Sequence, residues 1–230
     1  MPQARSILPQ PLYPWVRRGL QHLFPDCLWT LPDQEKGVAL TFDDGPHPEY
    51  TPALLEVLDQ FQIKATFFLL GERVQRWPEV VEQIAQAGHQ LGIHGWHHRS
   101  FPQLTAVDLR QSLQRTQALL MQIGGQSQDH YQLVRPPNGL FLPQTLVHLR
   151  QWGYQPVMWS IVPEDWLQPP PQEVIRRIRA QLFPGALIVL HDGVHGGSQV
   201  AETVSDLLPS LLAQGFQFLP LASSPECFCR

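Results

Sequence analysis

From residue 38 to residue 220 the chain alternates short apolar runs with longer stretches of helical period. Runs at 38–42, 65–69, 90–93, 133–135, 155–159, 187–190 and 216–220 predict seven strands. Between them, 51–61, 78–87, 106–122, 143–151, 171–182 and 199–213 predict helices. Several of these open on Pro or a capping residue, and Gly88, Gly153 and Gly215 close three of them. A helix after each strand implies an α/β fold, with a parallel sheet whose right-handed crossovers cover its outer face. An open sheet and a closed barrel fit this pattern equally. In both, ligands bind at the carboxyl ends of the strands, so polar residues just past each run are the ones that matter.

Ahead of this alternation, Leu12, Trp15, Val16, Leu20, Leu23 and Phe24 fall on one face of a short helix, with Arg17 and Arg18 beside them. Such stripes are usually core, so an arm packed against the domain is expected; a membrane-surface anchor is the alternative. The division is then an N-terminal arm at 1–35, one domain at 36–222 and a tail at 223–230.

At 230 residues and 43% hydrophobic composition, the chain can bury one substantial core. A net charge of −4 with no basic stripe argues against nucleic acid as a partner. No apolar run is long enough to cross a membrane, and nothing specifies an oligomeric state. Pro2, Pro9, Pro11 and Pro14 break any secretory pattern, which points to the cytoplasm. Cys27, Cys227 and Cys229 form neither a disulfide framework nor a zinc motif and suit a reducing compartment. A bridge from Cys27 to the tail would leave one odd thiol.

The chemistry gathers at the strand ends. The first run delivers Asp43 and Asp44 to a Gly45-Pro46 turn, and two adjacent carboxylates at a buried strand end call for a cation. A turn and a helix cap are the plainer roles for that pair. His94 and His98 follow the third run, four residues apart, a spacing that can aim both rings at one metal. His97 faces elsewhere. Arg135 leaves the fourth run into Pro136-Pro137-Asn138-Gly139, placed to pair with a carboxylate. Asp165 and Trp166 follow the fifth run and His191 the sixth. Each has a structural role available to it singly; together they crowd one rim.

These residues resemble the motifs of the polysaccharide deacetylase family, also called the NodB-homology domain or carbohydrate esterase family four. Thr41-Phe42-Asp43-Asp44-Gly45-Pro46 is similar to the first motif without a change, and His94-x-x-x-His98 resembles the second. Arg135-Pro136-Pro137-x-Gly139 resembles the third, Asp165-Trp166 the end of the fourth, and Leu187-x-Val189-Leu190-His191 the fifth. The resemblance implies a distorted, incomplete (β/α) barrel. It departs at three places: Gly95 where Ser or Thr is usual, Asn138 where an aromatic is usual, and Val162-Pro163 where an Asp-Ser pair is common. The last would remove a carboxylate that tunes the histidine acid.

By resemblance, Asp44, His94 and His98 hold one divalent metal, zinc first, with cobalt, nickel and manganese as alternatives. Asp43 is then the base, Arg135 its positioner and His191 the acid. Pro137, Asn138, Asp165, Trp166, Leu187 and Val189 face substrate, with the backbone N–H near Asn138 binding the oxyanion. The implied activity is removal of acetyl groups from N-acetylated sugar polymers of chitin-oligomer or peptidoglycan type. This resemblance places the protein at the cell envelope or outside the cell, against the missing export pattern. Alternatives are an O-acetyl xylan deacetylase, a small-molecule amide hydrolase and an inactive carbohydrate-binding domain. A non-haem iron oxygenase shares the ligand set but not the alternating pattern.

Overall fold

The computed structural model describes residues 12–31 and 35–221. Its strands are β1 (Gly37–Gly45), β2 (Thr66–Leu69), β3 (Gln90–Ile93), β4 (Leu133–Val134), β5 (Gln155–Pro156), β6 (Leu187–His191) and β7 (Gln217–Phe218). The helices are α1 (Tyr13–Leu23), α2 (Tyr50–Gln60), α3 (Gly71–Arg76), α4 (Pro78–Gln86), α5 (Ala106–Gly124), α6 (Pro143–Gln151), α7 (Pro171–Gln181) and α8 (Gly197–Ala213). The strand order is β5-β4-β3-β2-β1-β6, β7 also pairs with β1, and every pairing is parallel.

The sheet curls into an incomplete barrel. Its open seam lies between β5 and β6, where a single parallel bridge joins Ile161 to Ile188. A strap from the N-terminal region crosses the same seam, with Leu28 bridged to Val157 and Thr30 to Ala186. Cys27 and Trp29 on this strap are buried with Leu146 and Met158. Residues 27–30 therefore pack against the barrel. Cys27 is a free, buried thiol, whereas Cys227, Cys229 and the tail lie outside the described residues.

Alternation along the strands sorts the side chains. Val38, Leu40 and Phe42 face the helices in the large outer core, with Ile188 and Leu190 beside them. Ala39 and Leu187 face the barrel interior with Phe68, Leu133, Val157 and Leu221. The register pairs Ala39 with Leu187, Thr41 with Val189 and Asp43 with His191. The interior thus climbs from an apolar floor to an ionic layer at the carboxyl ends.

Two expectations fail here. β4 and β5 are two residues each, because Pro136 and Pro137 follow the first and the chain after the second turns to pair with Leu28. More consequentially, α1 does not pack its apolar stripe on the domain. Tyr13, Arg17 and Gln21 lie toward the protein, half-buried, while Trp15 and Leu23 are 69% and 68% exposed. α3 has six residues, too few for its period to show in the sequence.

Candidate active site

The ionic layer begins with Arg135, which is fully buried. Its Nη1 donates to Asp43 Oδ1 at 2.7 Å and to Thr41 Oγ1 at 2.8 Å, and its Nη2 donates to the Met158 carbonyl at 2.8 Å. Its guanidinium also lies 4.0 Å from the centre of the Phe68 ring. Burial works against this charge and the Asp43 carboxylate sustains it. Asp43 is itself buried, so the pair fixes the direction of one carboxylate.

Asp44, next along β1, turns the other way at φ 71°. Asp44 Oδ1 stands 3.5 Å from His94 Nε2 and 3.4 Å from His98 Nε2, and the three donor atoms lie within 4.8 Å of one another. His94 Nδ1 is 2.8 Å from the Arg135 carbonyl, so it carries the proton and leaves the Nε2 lone pair facing Asp44. Burial pushes the His94 pKa down to about 3 despite the pull of Asp44, keeping the ring neutral as a metal ligand must be. Asp44 Oδ1 is buried with no hydrogen-bond partner. An orphaned carboxylate oxygen facing two imidazole nitrogens fits a divalent cation. His97 pairs instead with Glu72, away from this group, as its spacing implied.

Gly95 holds the histidine loop without a hydroxyl. Its carbonyl accepts from the Gly71 N–H at 3.0 Å and from Thr116 Oγ1 at 3.2 Å, and its φ of +93° favours glycine.

Across the cleft, His191 Nδ1 is 2.9 Å from Asp165 Oδ1, and the His191 backbone N–H donates to Oδ2 at 2.7 Å. Burial alone would lower the His191 pKa, but Asp165, then Asp44 and Asp43, outweigh it and raise it to about 10. Trp166 meets the imidazole edge-on at 5.3 Å. Asp165 was expected to face substrate; both its oxygens are engaged by His191. It supplies the tuning carboxylate that the Val162-Pro163 departure had put in doubt.

The cleft has a volume of about 330 Å³, with both aspartates, His94, His98 and His191 on its wall. Asn138, Trp166 and Val189 line it as expected. Asn138 adopts φ 58° and its Nδ2 donates to Ser100 Oγ at 2.9 Å, tying the third motif to the loop after His98. Leu187 and Pro137 do not line it. Leu187 sits one interior layer below Val189 in the floor, and Pro137 is buried under the histidine loop.

Sequence reasoning missed Tyr13, Trp159, Val162 and His195, which also line the cleft. Trp159 closes the fifth predicted run and Val162 follows it, but neither is polar, so the strand-end signal passed over them; His195, polar and just past β6, did carry that signal. Tyr13 had none, because it arrives from α1 through a 2.9 Å hydrogen bond to Glu164. Asp192 was missed as well. It is buried beneath Gly45, where no Cβ would fit, and accepts from Thr51 Oγ1 at 2.6 Å. Its burial raises its pKa to about 7.

Known proteins resemble this chain in sequence and fold. The family profile described as Polysaccharide deacetylase matches residues 30–157. A peptidoglycan-N-acetylglucosamine deacetylase of Bacillus cereus is 33% identical over 196 residues, covering 84% of this chain and 90% of that protein. A chitooligosaccharide deacetylase of Azorhizobium caulinodans is 32% identical, covering 81% of this chain and 93% of its own. The crystal structure of the Bc1960 peptidoglycan N-acetylglucosamine deacetylase superposes with a TM-score of 0.81 at 29% identity, over 85% of this chain and 91% of that one. With its parallel half-barrel, Arg135-clamped aspartate and Asp-His-His cluster, the chain belongs to the polysaccharide deacetylase family, a family of metal-dependent deacetylases.

Proposed function

We propose that the protein hydrolyses the acetamido group of an N-acetylated glycan of peptidoglycan or chitin-oligomer type, using one zinc ion held by Asp44, His94 and His98. The observation that carries this reading is the facing pair of Asp43 and His191. The β1–β6 register sets them side by side, one carboxylate clamped by Arg135 and one imidazole held protonated by Asp165. An acid and a base kept apart in charge at one cleft are what amide hydrolysis requires.

The metal, when bound, supplies Lewis-acid polarisation of the acyl oxygen and lowers the pKa of attacking water. Asp43 Oδ2, the oxygen not taken by Arg135, accepts the proton from that water. Charge developing on the acyl oxygen is met by the backbone N–H of Asn138, which borders the cleft. His191, protonated at Nε2 and aimed through its Nδ1 contact with Asp165, gives its proton to the departing nitrogen. Val189, Trp166 and Trp159 wall the space around the acetyl methyl and exclude water. The two peptidoglycan and chitooligosaccharide relatives support the choice of glycan, since both cover most of the chain.

The test is acetate release from chitin oligomers and from peptidoglycan fragments by protein stripped of metal and then reloaded with zinc. Acetate that appears only after reloading supports the reading. Turnover of acetylated xylan alone would move the substrate to an O-acetyl ester.

A further inference from the structure

The orientation of α1 runs opposite to what its sequence favours. At 100° per residue, Leu12, Val16, Leu20 and Leu23 share one flank, with Trp15 at its margin. That flank is exposed, while the side toward the domain carries Tyr13, Arg17 and Gln21. A hydrogen bond, a cation–ring contact and a ring–ring contact hold the helix in this pose. Tyr13 donates to Glu164, Arg17 lies 4.6 Å over the Phe183 ring, and Phe24 meets Phe141 edge-on at 5.0 Å. On either side of Phe141 in the chain, Leu140 and Leu142 are each 53% exposed.

Arg18 and His22 lie between the apolar flank and the domain-facing side, and Arg18 stacks over Trp15 at 5.7 Å. No acidic residue occurs in the helix, although the chain as a whole carries −4. An apolar flank, a marginal Trp and a basic border are the features of a helix lying in a lipid headgroup layer. We infer that α1 docks the protein onto an anionic lipid surface through its exposed flank.

A second copy of the chain fits this face less well. Paired α1 helices would bring basic borders together with no acid on either to meet them. Moreover, 11 residues make a helix about 16 Å long and about 10 Å wide, a face on the order of 160 Å², well short of the roughly 800 Å² per partner of a stable interface. Because Tyr13 lines the cleft from the same helix, docking would set the cleft mouth beside the surface. This inference stands apart from the choice of glycan.

Co-sedimentation of the full chain with vesicles tests it. Vesicles of phosphatidylglycerol mixed with phosphatidylcholine should retain the protein at least about tenfold better than phosphatidylcholine alone, and raised salt should weaken retention. Trp15→Glu with Leu23→Glu should abolish retention while leaving the thermal melt and turnover of soluble oligomers unchanged. Arg18→Gln should lower retention on anionic vesicles about fivefold. Equal retention on both vesicle types, retention surviving the double substitution, or a concentration-dependent doubling of mass that the double substitution removes would each overturn the inference. The last would assign the face to self-association.

Discussion

His191 and Asp165 are joined twice, by an Nδ1 to Oδ1 contact of 2.9 Å and by a backbone N–H to Oδ2 hydrogen bond of 2.7 Å. The first sets the charge of the imidazole, and the second sets where the carboxylate sits. Asp165→Asn should keep the geometry and lose the charge. The alkaline limb of kcat/KM is expected to move acidward by about one pH unit or more, with metal content unchanged. An unmoved limb would remove Asp165 from this role.

The same pair links stability to pH. A histidine titrating near 6.5 when unfolded and near 10 when folded stabilises the fold fully below about pH 6.5. That contribution is lost as pH rises through about 10. Denaturant midpoints of metal-free protein should therefore fall between these two pH values, and the fall should be much smaller in Asp165→Asn.

Gly196 closes over this pair at φ +93°, and a Cβ there would stand 3.0 Å from Asp165 Oδ2 and 3.2 Å from His191 Cβ. Gly196→Ala is expected to lower kcat about tenfold or more, with zinc stoichiometry retained, through displacement of the acid. Metal analysis beside steady-state kinetics separates this outcome from general unfolding.

Arg135 is the most costly side chain of the site to remove. Arg135→Met would leave Asp43 buried without its partner, a loss of about 3–5 kcal/mol by denaturant titration. Adding Asp43→Asn to that variant should recover part of the stability, since a neutral amide tolerates the site better than an unpaired carboxylate. No recovery would mean that Arg135 acts mainly through Thr41 and the Met158 carbonyl.

How far the sequence carried this picture depends on how local each signal was. Asp43, His94, Arg135 and His191 were legible because each closes or follows a short apolar run, so a strand assignment places it at the carboxyl end of the sheet. Asp165 was legible as a site residue but not as the partner of His191. Those two lie 26 residues apart, and a left-handed turn at Glu164, φ 59°, leads into the segment that joins them. Leu187 has the right parity to face inward, yet parity cannot say how deep in the barrel it sits. α1 was legible as an amphipathic helix, but which side faces the domain is decided by Glu164 and Phe183, more than 140 residues away.

The metal site rests on one orphaned oxygen and two imidazoles. His94→Ala should reduce bound zinc and abolish acetate release together, and chelation of the parent protein should do the same reversibly. Loss of activity with zinc fully retained would place the metal elsewhere.

The central claim is that Asp43 acts as the base while Asp44 serves the metal, and Asp43→Asn tests it most directly. Acetate release from chitin oligomers by the zinc-loaded variant should fall on the order of 10²–10⁴, with zinc bound as in the parent chain. Full turnover by that variant, with zinc in place, would contradict the assignment.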